Sequence, residues 1–168
     1  MVEKRGLEQS GSQMRIEQLT QENAETIADT WKYPGIYAFY DMTADPEDYK
    51  EIITPELRGD HYFQVVDDGE LFGFFSLEED EDGVELGLGI KPELTGCGRG
   101  EAFVRLILDF IVEGSGQGPV RLAVAEFNER AITVYRRLGF VETRRYEQKT
   151  NSSVHRFVEM EKRIEMLR

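Results

Sequence analysis

Apolar residues recur along the chain with two different periods, and the first quarter shows both. Apolar and polar side chains alternate over MRIEQL (14–19), which predicts a first strand, and helical spacing follows over ENAETIADTW (22–31). The aromatic segment YPGIYAFYDM (33–42) has neither period, and Pro46 opens a second short helix, PEDYKEII (46–53). This part of the chain therefore reads as a strand and two helices, with an irregular aromatic segment between the helices.

Three strands are predicted next, separated by turns that glycine marks. HYFQVV (61–66) and ELFGFFSL (70–77) flank DDG (67–69), which is a strong hairpin signal. DG (82–83) then turns the chain into VELGLGI (84–90), and a proline two residues later ends that strand.

The second half of the chain alternates helices with strands. Helical spacing of apolar residues predicts a helix over 103–111, and VRLAVAEF (120–127) reads as a strand. Asn128 is a natural N-cap for ERAITVYRRL (129–138), which Gly139 closes. Two more strands are predicted at the end of the chain, FVETRRYEQ (140–148) and HRFVEMEKRI (155–164).

The resulting order, βααβββαβαββ, defines the expected fold class. Helices that alternate with strands only in the second half imply an α/β (α+β) fold, with a mixed sheet and helices on both faces. The chain has no internal repeat and no low-complexity linker, so we expect a single domain over residues 14–168. Residues 1–13 are predicted to be a polar extension, either disordered or a cloning remnant.

Composition and charge exclude several classes of function. With 33 acidic and 20 basic residues the net charge is −13, which argues against nucleic acid and is compatible with a cationic substrate. No apolar run approaches a membrane span, and one cysteine rules out an intramolecular disulfide framework, so a cytoplasmic location is expected. EEDEDG (78–83) resembles the start of a calcium loop, but Gly89 occupies the position that needs a glutamate, so no metal is expected.

The stretch TGCGRG (95–100) lies between a predicted strand and a predicted helix. Free backbone N–H groups and the helix dipole make such a turn an anion site, and glycine lets a phosphate approach closely. A P-loop would need a lysine after the glycines, and the dinucleotide fingerprint fails because Phe103 replaces its third glycine. The simpler alternative is that the glycines only turn the chain.

Two motifs of this sequence resemble those of the GNAT superfamily of N-acetyltransferases. TGCGRG (95–100) is similar to the family's [Q/R]-x-x-G-x-G loop, and NERAITVYRRLGF (128–140) is similar to its N-x-x-A-x-x-x-Y-x-x-x-G-F motif. Thr95 departs from the usual Gln or Arg, and Arg99 occupies a position where an aliphatic residue is common. The resemblance implies a GNAT-like, mostly antiparallel sheet and acetyl-CoA as cosubstrate.

The resemblance also implies which residues bind acetyl-CoA. The glycine loop would hold the pyrophosphate, and the strand that ends at Ile90 would pair with the pantetheine arm through backbone groups. Gly87 and Gly89 fit a strand that something other than a side chain approaches closely, although a simple bulge is the alternative. The implied cofactor-binding residues are Leu88, Gly89, Ile90, Thr95, Gly96, Cys97, Gly98, Arg99, Gly100 and Asn128.

Two residues are candidates for catalysis. The resemblance implies that Tyr135 acts as general acid toward the departing thiolate, although its helical stripe also suits a core position. By the same resemblance Glu85 is the candidate base that deprotonates the acceptor ammonium; a solvated strand glutamate is the alternative. A backbone N–H near Leu88 would hold the oxyanion that develops on the thioester carbonyl.

The aromatic segment is the candidate acceptor site. Tyr33, Tyr37, Tyr40 and Asp41 combine aromatic faces with a carboxylate, which suits a cationic amine, although an ordinary aromatic core is the alternative. The function expected is acetyl transfer to a primary amine, on a small molecule or a peptide N-terminus, by direct attack in a ternary complex. The alternative is a non-catalytic acyl-CoA sensor, and a homodimer stays open.

Overall fold

The computed structural model of the chain describes residues 14–114, 118–150 and 153–164, so the predicted extension at 1–13 lies outside the described residues. The strands are Met14–Gln18 (β1), Tyr62–Asp67 (β2), Glu70–Asp80 (β3), Gly83–Ile90 (β4), Pro119–Ala125 (β5), Val141–Thr150 (β6) and Ser153–Arg163 (β7). The α-helices are Gln21–Thr30 (α1), Pro46–Ile53 (α2), Pro55–Arg58 (α3), Gly100–Glu113 (α4) and Glu129–Arg137 (α5). Short 3₁₀ helices cover Gly35–Tyr40, Met42–Ala44 and Pro92–Leu94.

The strands form a seven-stranded mixed sheet in the order β1-β2-β3-β4-β5-β7-β6. Antiparallel ladders join β1 with β2, β2 with β3, β5 with β7 and β6 with β7. β4 and β5 are parallel, and α4 supplies the crossover that a parallel pair requires. The predicted mixed, mostly antiparallel sheet is confirmed.

The predicted order of strands and helices is confirmed, and the structure adds α3 to it. A proline disfavours helical geometry in the residue before it, so α2 ends at Ile53 and Pro55 opens a new helix. Gly59, with φ of +56°, ends that helix after four residues. The aromatic segment predicted to be irregular is mostly 3₁₀ helix, with Gly35–Tyr40 and Met42–Ala44 on either side of Asp41.

The hairpin between β2 and β3 follows the predicted turn. Asp68 and Gly69 have φ of +55° and +86°, and positive φ at both central residues is typical of a type I′ turn. Asp67 and Glu70 are paired across the turn, which sets the register of the ladder.

The described residues form two compact units, and β3 and β4 run through both of them. The first unit contains the described residues up to Ser76 together with Leu88–Leu94. Its core is formed by α1, α2 and the sheet, with Leu19, Ala24, Ile27, Ala28, Trp31, Ile52 and Phe74 buried together. The expectation of a single domain over 14–168 stays a prediction.

Two buried polar side chains of the first unit hold its helices in place, Gln64 from the sheet and Arg58 from α3. Gln64 is 3% exposed, and its side-chain oxygen accepts hydrogen bonds from Thr20 N and Asn23 Nδ2 at 3.2 and 2.9 Å. Arg58 is 6% exposed and donates to the Ile52 carbonyl and to Gln21 Oε1. Because their hydrogen bonds are made internally, these groups stabilise the helix arrangement rather than weaken it.

The second unit contains Leu77–Gly87 and the described residues from Thr95 onward. One face of α4 is buried, with Phe103, Val104, Ile107, Leu108 and Ile111 facing the core. Leu106 and Phe110, two of the apolar residues whose spacing predicted this helix, are only half-buried. In β6, which lies at one edge of the sheet, Arg145 pairs with Glu142 and Glu126 at 2.7 Å each. Charged side chains of this kind protect an edge strand against pairing with another chain.

Candidate functional site

Backbone conformation explains two of the three glycines of the loop but not the third. Gly96 and Gly98 have φ of +73° and +79°, a conformation that other residues rarely adopt, so the turn itself requires them. Gly100 has no positive φ, and a Cβ there would lie 3.8 Å from Val134 Cγ2, an ordinary contact. The fold of the protein therefore does not require glycine at position 100.

The N-terminus of α4, where this loop ends, has no side-chain cap. In α1, α2 and α5 a side-chain oxygen of Thr20, Asp45 or Asn128 accepts a hydrogen bond from a first-turn N–H. At α4 the N-cap residue is Arg99, which cannot accept such a bond. The first-turn N–H groups and the positive end of the helix dipole are thus arranged to favour an anion.

Arg130 is a cation beside the loop that the sequence analysis missed. Its Nη1 lies 2.9 Å from the position that a Cβ at Gly96 would take, so its guanidinium packs directly against the loop. Arg130 belongs to the first turn of α5, where the helix dipole disfavours a positive charge. A positive charge at an unfavourable position of a helix suggests a role other than helix stability. This feature of the sequence could have identified Arg130 as a candidate residue.

Two other predicted residues of the loop region, Cys97 and Asn128, form hydrogen bonds with nearby backbone groups. Cys97 is exposed, and its thiol donates to the Thr95 carbonyl at 3.7 Å. Asn128 Oδ1 accepts from Ala131 N at 3.2 Å, so its predicted role as N-cap is confirmed. A contact between Asn128 and a cofactor stays a prediction.

The two candidate catalytic residues lie in very different environments of the second unit. Tyr135 is 7% exposed, and its ring centroid is 5.6 Å from that of Phe140, so its ring is part of the core. Glu85 is exposed on β4, opposite Arg121 of β5. Burial raises the pKa of the Tyr146 hydroxyl, Arg144 lowers it, and the negative charges of Glu159 and Glu85 raise it further. Glu85 is therefore near enough to Tyr146 for the two groups to interact electrostatically.

Gly89 corrects one expectation about β4. A Cβ at this position would lie 2.6 Å from Phe74 Cε1, so the group that approaches Gly89 is a side chain. Phe74 is buried and also contacts the Trp31 ring, with 6.1 Å between centroids. Aromatic packing therefore accounts for this glycine, whereas the sequence argument expected approach by something other than a side chain.

The structure brings together three of the predicted residues in the first unit. The Tyr33 hydroxyl donates to the Ile90 carbonyl at 2.7 Å, and the Tyr33 backbone N–H donates to Asp41 Oδ1 at 2.9 Å. Tyr37 and Tyr40 are half-buried, and the Tyr40 ring meets Phe39 edge to face at 5.2 Å. The aromatic segment is thus connected to the end of β4, where Leu88 and Gly89 are also half-buried.

Over the described ranges, no group of three or more His, Cys, Asp or Glu side chains is arranged to hold a metal ion. Asp80, part of the acidic turn that resembles a calcium loop, is paired with Arg121 at 3.0 Å. In the same ranges, no helix is both long enough and apolar enough to cross a bilayer.

Comparison with known proteins places this arrangement in a family context. The family model described as the acetyltransferase (GNAT) family matches residues 21–140. Mycothiol acetyltransferase from Streptomyces coelicolor is 39% identical over 83 residues, which are 48% of this chain and 26% of that protein. The chain therefore spans about a quarter of the length of this curated relative.

Solved structures show the same fold at low sequence identity. A spermidine N-acetyltransferase chimera from Vibrio cholerae and hSSAT is 21% identical, with a TM-score of 0.72 and coverage of 90% of this chain and 95% of the other. An acetyltransferase from Salmonella typhimurium, described as putative and solved with its cofactor acetyl-CoA, is 15% identical, with a TM-score of 0.64 and coverage of 90% and 94%.

Proposed function

This chain belongs to the GNAT acetyltransferase family, and on that premise we propose that it transfers an acetyl group from acetyl-CoA to a primary amine. The observation that carries the proposal is the glycine loop at the uncapped N-terminus of α4, with the Arg130 guanidinium against it. Family membership alone leaves the reaction of the whole protein open, because the chain spans only 26% of its curated relative.

The proposed cofactor site uses the loop for the pyrophosphate of acetyl-CoA. Backbone N–H groups of residues 96–100 donate to the phosphate oxygens, and glycine at position 100 keeps that surface free of a side chain. Arg130 and Arg99 add positive charge to a protein whose net charge of −13 would otherwise repel a polyanion. The backbone of Leu88, Gly89 and Ile90 pairs with the amides of the pantetheine arm.

The proposed chemistry is direct attack of a neutral amine on the thioester carbonyl. Glu85, an exposed carboxylate, removes a proton from the acceptor ammonium so that the nitrogen lone pair can attack. The N–C bond forms as the C–S bond breaks, Tyr135 protonates the departing thiolate, and the second proton that the acetylated nitrogen loses passes through solvent to restore the Tyr135 phenol. A backbone N–H near Leu88 stabilises the charge that develops on the carbonyl oxygen.

The proposed acceptor is a cation, bound by the aromatic segment. Tyr33, Tyr37, Tyr40 and Asp41 provide aromatic faces and a carboxylate, and the net negative charge favours a cationic substrate. A small polyamine is proposed over a peptide N-terminus because its several positive charges suit a protein of net charge −13. A cytoplasmic location and a homodimer stay predictions.

A non-catalytic acyl-CoA sensor is the second candidate function. It is favoured by the structural roles that the structure gives to two motif residues, since Asn128 caps α5 and the Tyr135 ring packs in the core. A protein that only binds acyl-CoA would need nothing more from either residue. A panel of amines assayed for release of the CoA thiol separates the two functions.

A negative charge introduced at position 100 tests the proposed cofactor site. Aspartate is favourable in the first turn of a helix, and a Cβ there meets Val134 at an ordinary distance, so Gly100→Asp is expected to fold normally. Its carboxylate would meet the pyrophosphate, and we expect calorimetry to detect no CoA binding at concentrations that saturate the parent.

Gly100→Asn is the matched control, because it has the same size without the charge. We expect it to bind CoA more weakly than the parent but measurably, which would separate repulsion from crowding. Unchanged CoA affinity in a folded Gly100→Asp variant would remove the loop from the cofactor site.

A further inference from the structure

Tyr33 donates two hydrogen bonds, one from its side chain and one from its backbone. Its side-chain hydroxyl donates to the Ile90 carbonyl at 2.7 Å, across 57 positions of sequence. Its backbone N–H donates to Asp41 Oδ1 at 2.9 Å. One residue therefore connects the last peptide of β4 with the far end of the aromatic segment.

The edge of β4 that this hydroxyl contacts can be read from the peptide geometry. Lys91 N donates to Phe72 O at 2.8 Å, so the N–H of the peptide between Ile90 and Lys91 points toward β3. In a trans peptide the carbonyl points the opposite way, so the Ile90 oxygen faces away from β3. Tyr33 thus donates to the β4 edge opposite β3, at the end of the strand.

The hydroxyl is a permanent donor at this position. Burial raises the pKa of Tyr33 above its ordinary range, and the negative charges of Asp41 and Glu93 raise it further. The phenol therefore stays protonated, and so remains a donor, at neutral pH. A carbonyl oxygen accepts two hydrogen bonds, so Ile90 can hold Tyr33 and a ligand amide together.

We propose that Tyr33 is a positioning residue that couples cofactor binding on β4 to the conformation of the aromatic segment, an inference that rests on the proposed function. Its hydroxyl holds the Ile90 carbonyl in the orientation that the pantetheine arm requires. Its backbone, tied to Asp41, transmits that contact to the segment that receives the acceptor. Acetyl-CoA then orders the acceptor site before the amine binds, and by reciprocity a bound amine tightens acetyl-CoA binding.

The test uses amide hydrogen exchange of the whole protein with CoA as the probe. Backbone N–H groups of Tyr37, Asp41 and Ala44 bond to carbonyls within the aromatic segment or next to it, so their exchange rates report its order. In the parent we expect CoA to slow exchange both at the glycine loop and at these three amides. In Tyr33→Phe we expect protection of the loop to persist and protection of the three amides to disappear.

Affinity provides the second readout. Loss of one hydrogen bond is expected to weaken CoA binding by about 2- to 10-fold in Tyr33→Phe. Asp41→Ala removes the other connection but leaves the hydrogen bond between Tyr33 and Ile90, so it is expected to change CoA affinity less than Tyr33→Phe and still lose the CoA-dependent protection. A purely structural role for Tyr33 would not produce that separation between the two variants.

Tyr49→Phe is the matched control. It removes a tyrosine hydroxyl that donates to Asp29 Oδ1 at 2.6 Å in the same unit, a hydrogen bond that involves neither Ile90 nor Asp41. We expect its CoA affinity and its pattern of protection to equal those of the parent. Thermal unfolding of each variant checks that it is folded, and Asp41→Ala keeps the test decisive if Tyr33→Phe is unstable.

The outcomes distinguish this inference from the proposed function. CoA-dependent protection of the aromatic segment that survives in both Tyr33→Phe and Asp41→Ala would refute the coupling alone. Protection of the loop without protection of the segment in the parent would refute it as well. If CoA protected no amide at residues 95–103 of the parent, the proposed function would fail and this inference with it.

Discussion

At Tyr135, removal of one oxygen atom distinguishes a catalytic role from a packing role. Its ring is buried against Phe140, and Tyr135→Phe keeps that ring, so thermal stability and CoA affinity should change little. If the phenol protonates the thiolate, the substitution should lower kcat by about 10²- to 10⁴-fold, the usual scale of general acid catalysis. Steady-state kinetics with the best amine of the panel measures this effect.

The two kinetic constants show where the effect arises. Equal losses in kcat and kcat/KM would identify an interaction made only in the transition state. Tyr49→Phe serves again as the control for loss of a tyrosine hydroxyl. Unchanged turnover in Tyr135→Phe would leave this tyrosine as a core residue only and would favour the sensor.

At the scale of elements, the contact between β3 and β4 depends on the absence of a side chain at Gly89. A methyl group at Gly89 would overlap the Phe74 ring, which is buried and cannot turn away freely. Overpacking of this kind costs about 1–3 kcal/mol, so Gly89→Ala should lower the free energy of unfolding by that amount. Urea unfolding of the variant measures the change.

Phe74→Leu provides a double-mutant cycle for this contact. The single substitution should destabilise by leaving a cavity, whereas the double variant Gly89→Ala/Phe74→Leu should be more stable than the sum of the two losses predicts. Additive effects would mean that Phe74 is not what restricts position 89. The cycle thus tests the correction that the structure makes to the reading of this glycine.

For the whole molecule, the dominant property is the net charge of −13. A field of that sign attracts a polyamine and repels the phosphates of acetyl-CoA, and dissolved salt screens both effects. We therefore expect kcat/KM for a polyamine to fall by about tenfold from low salt to molar salt, while the KM for acetyl-CoA changes less because Arg130 and Arg99 offset the repulsion at the glycine loop. Initial rates at several salt concentrations measure both constants.

A zwitterionic amino acid is the control acceptor, since its net charge is near zero. Its kcat/KM should depend only weakly on salt. Equal salt dependence for the polyamine and the zwitterion would show that the protein's field does not select the acceptor. The acceptor site would then have to be explained by shape alone.

The sequence by itself determined the features that depend on neighbouring residues. Apolar periods predicted the strands and helices because side-chain direction follows local backbone geometry, and Gly69 predicted its turn because only certain residues adopt positive φ easily. The glycine loop and the Asn128 cap were found for the same reason. The fold class followed from the order of these elements.

Tertiary structure alone decided which distant residues meet. Arg130 lies against Gly96, Phe74 occupies the space beside Gly89, and the Tyr33 hydroxyl reaches the last carbonyl of β4. Local patterns predict which face of a helix or strand a side chain lies on. They contain no information about which residue from a distant part of the chain will contact that side chain. The glycine loop was therefore predictable from sequence, whereas the guanidinium of Arg130 beside it and the connection between the aromatic segment and β4 depend on contacts that only the folded chain makes.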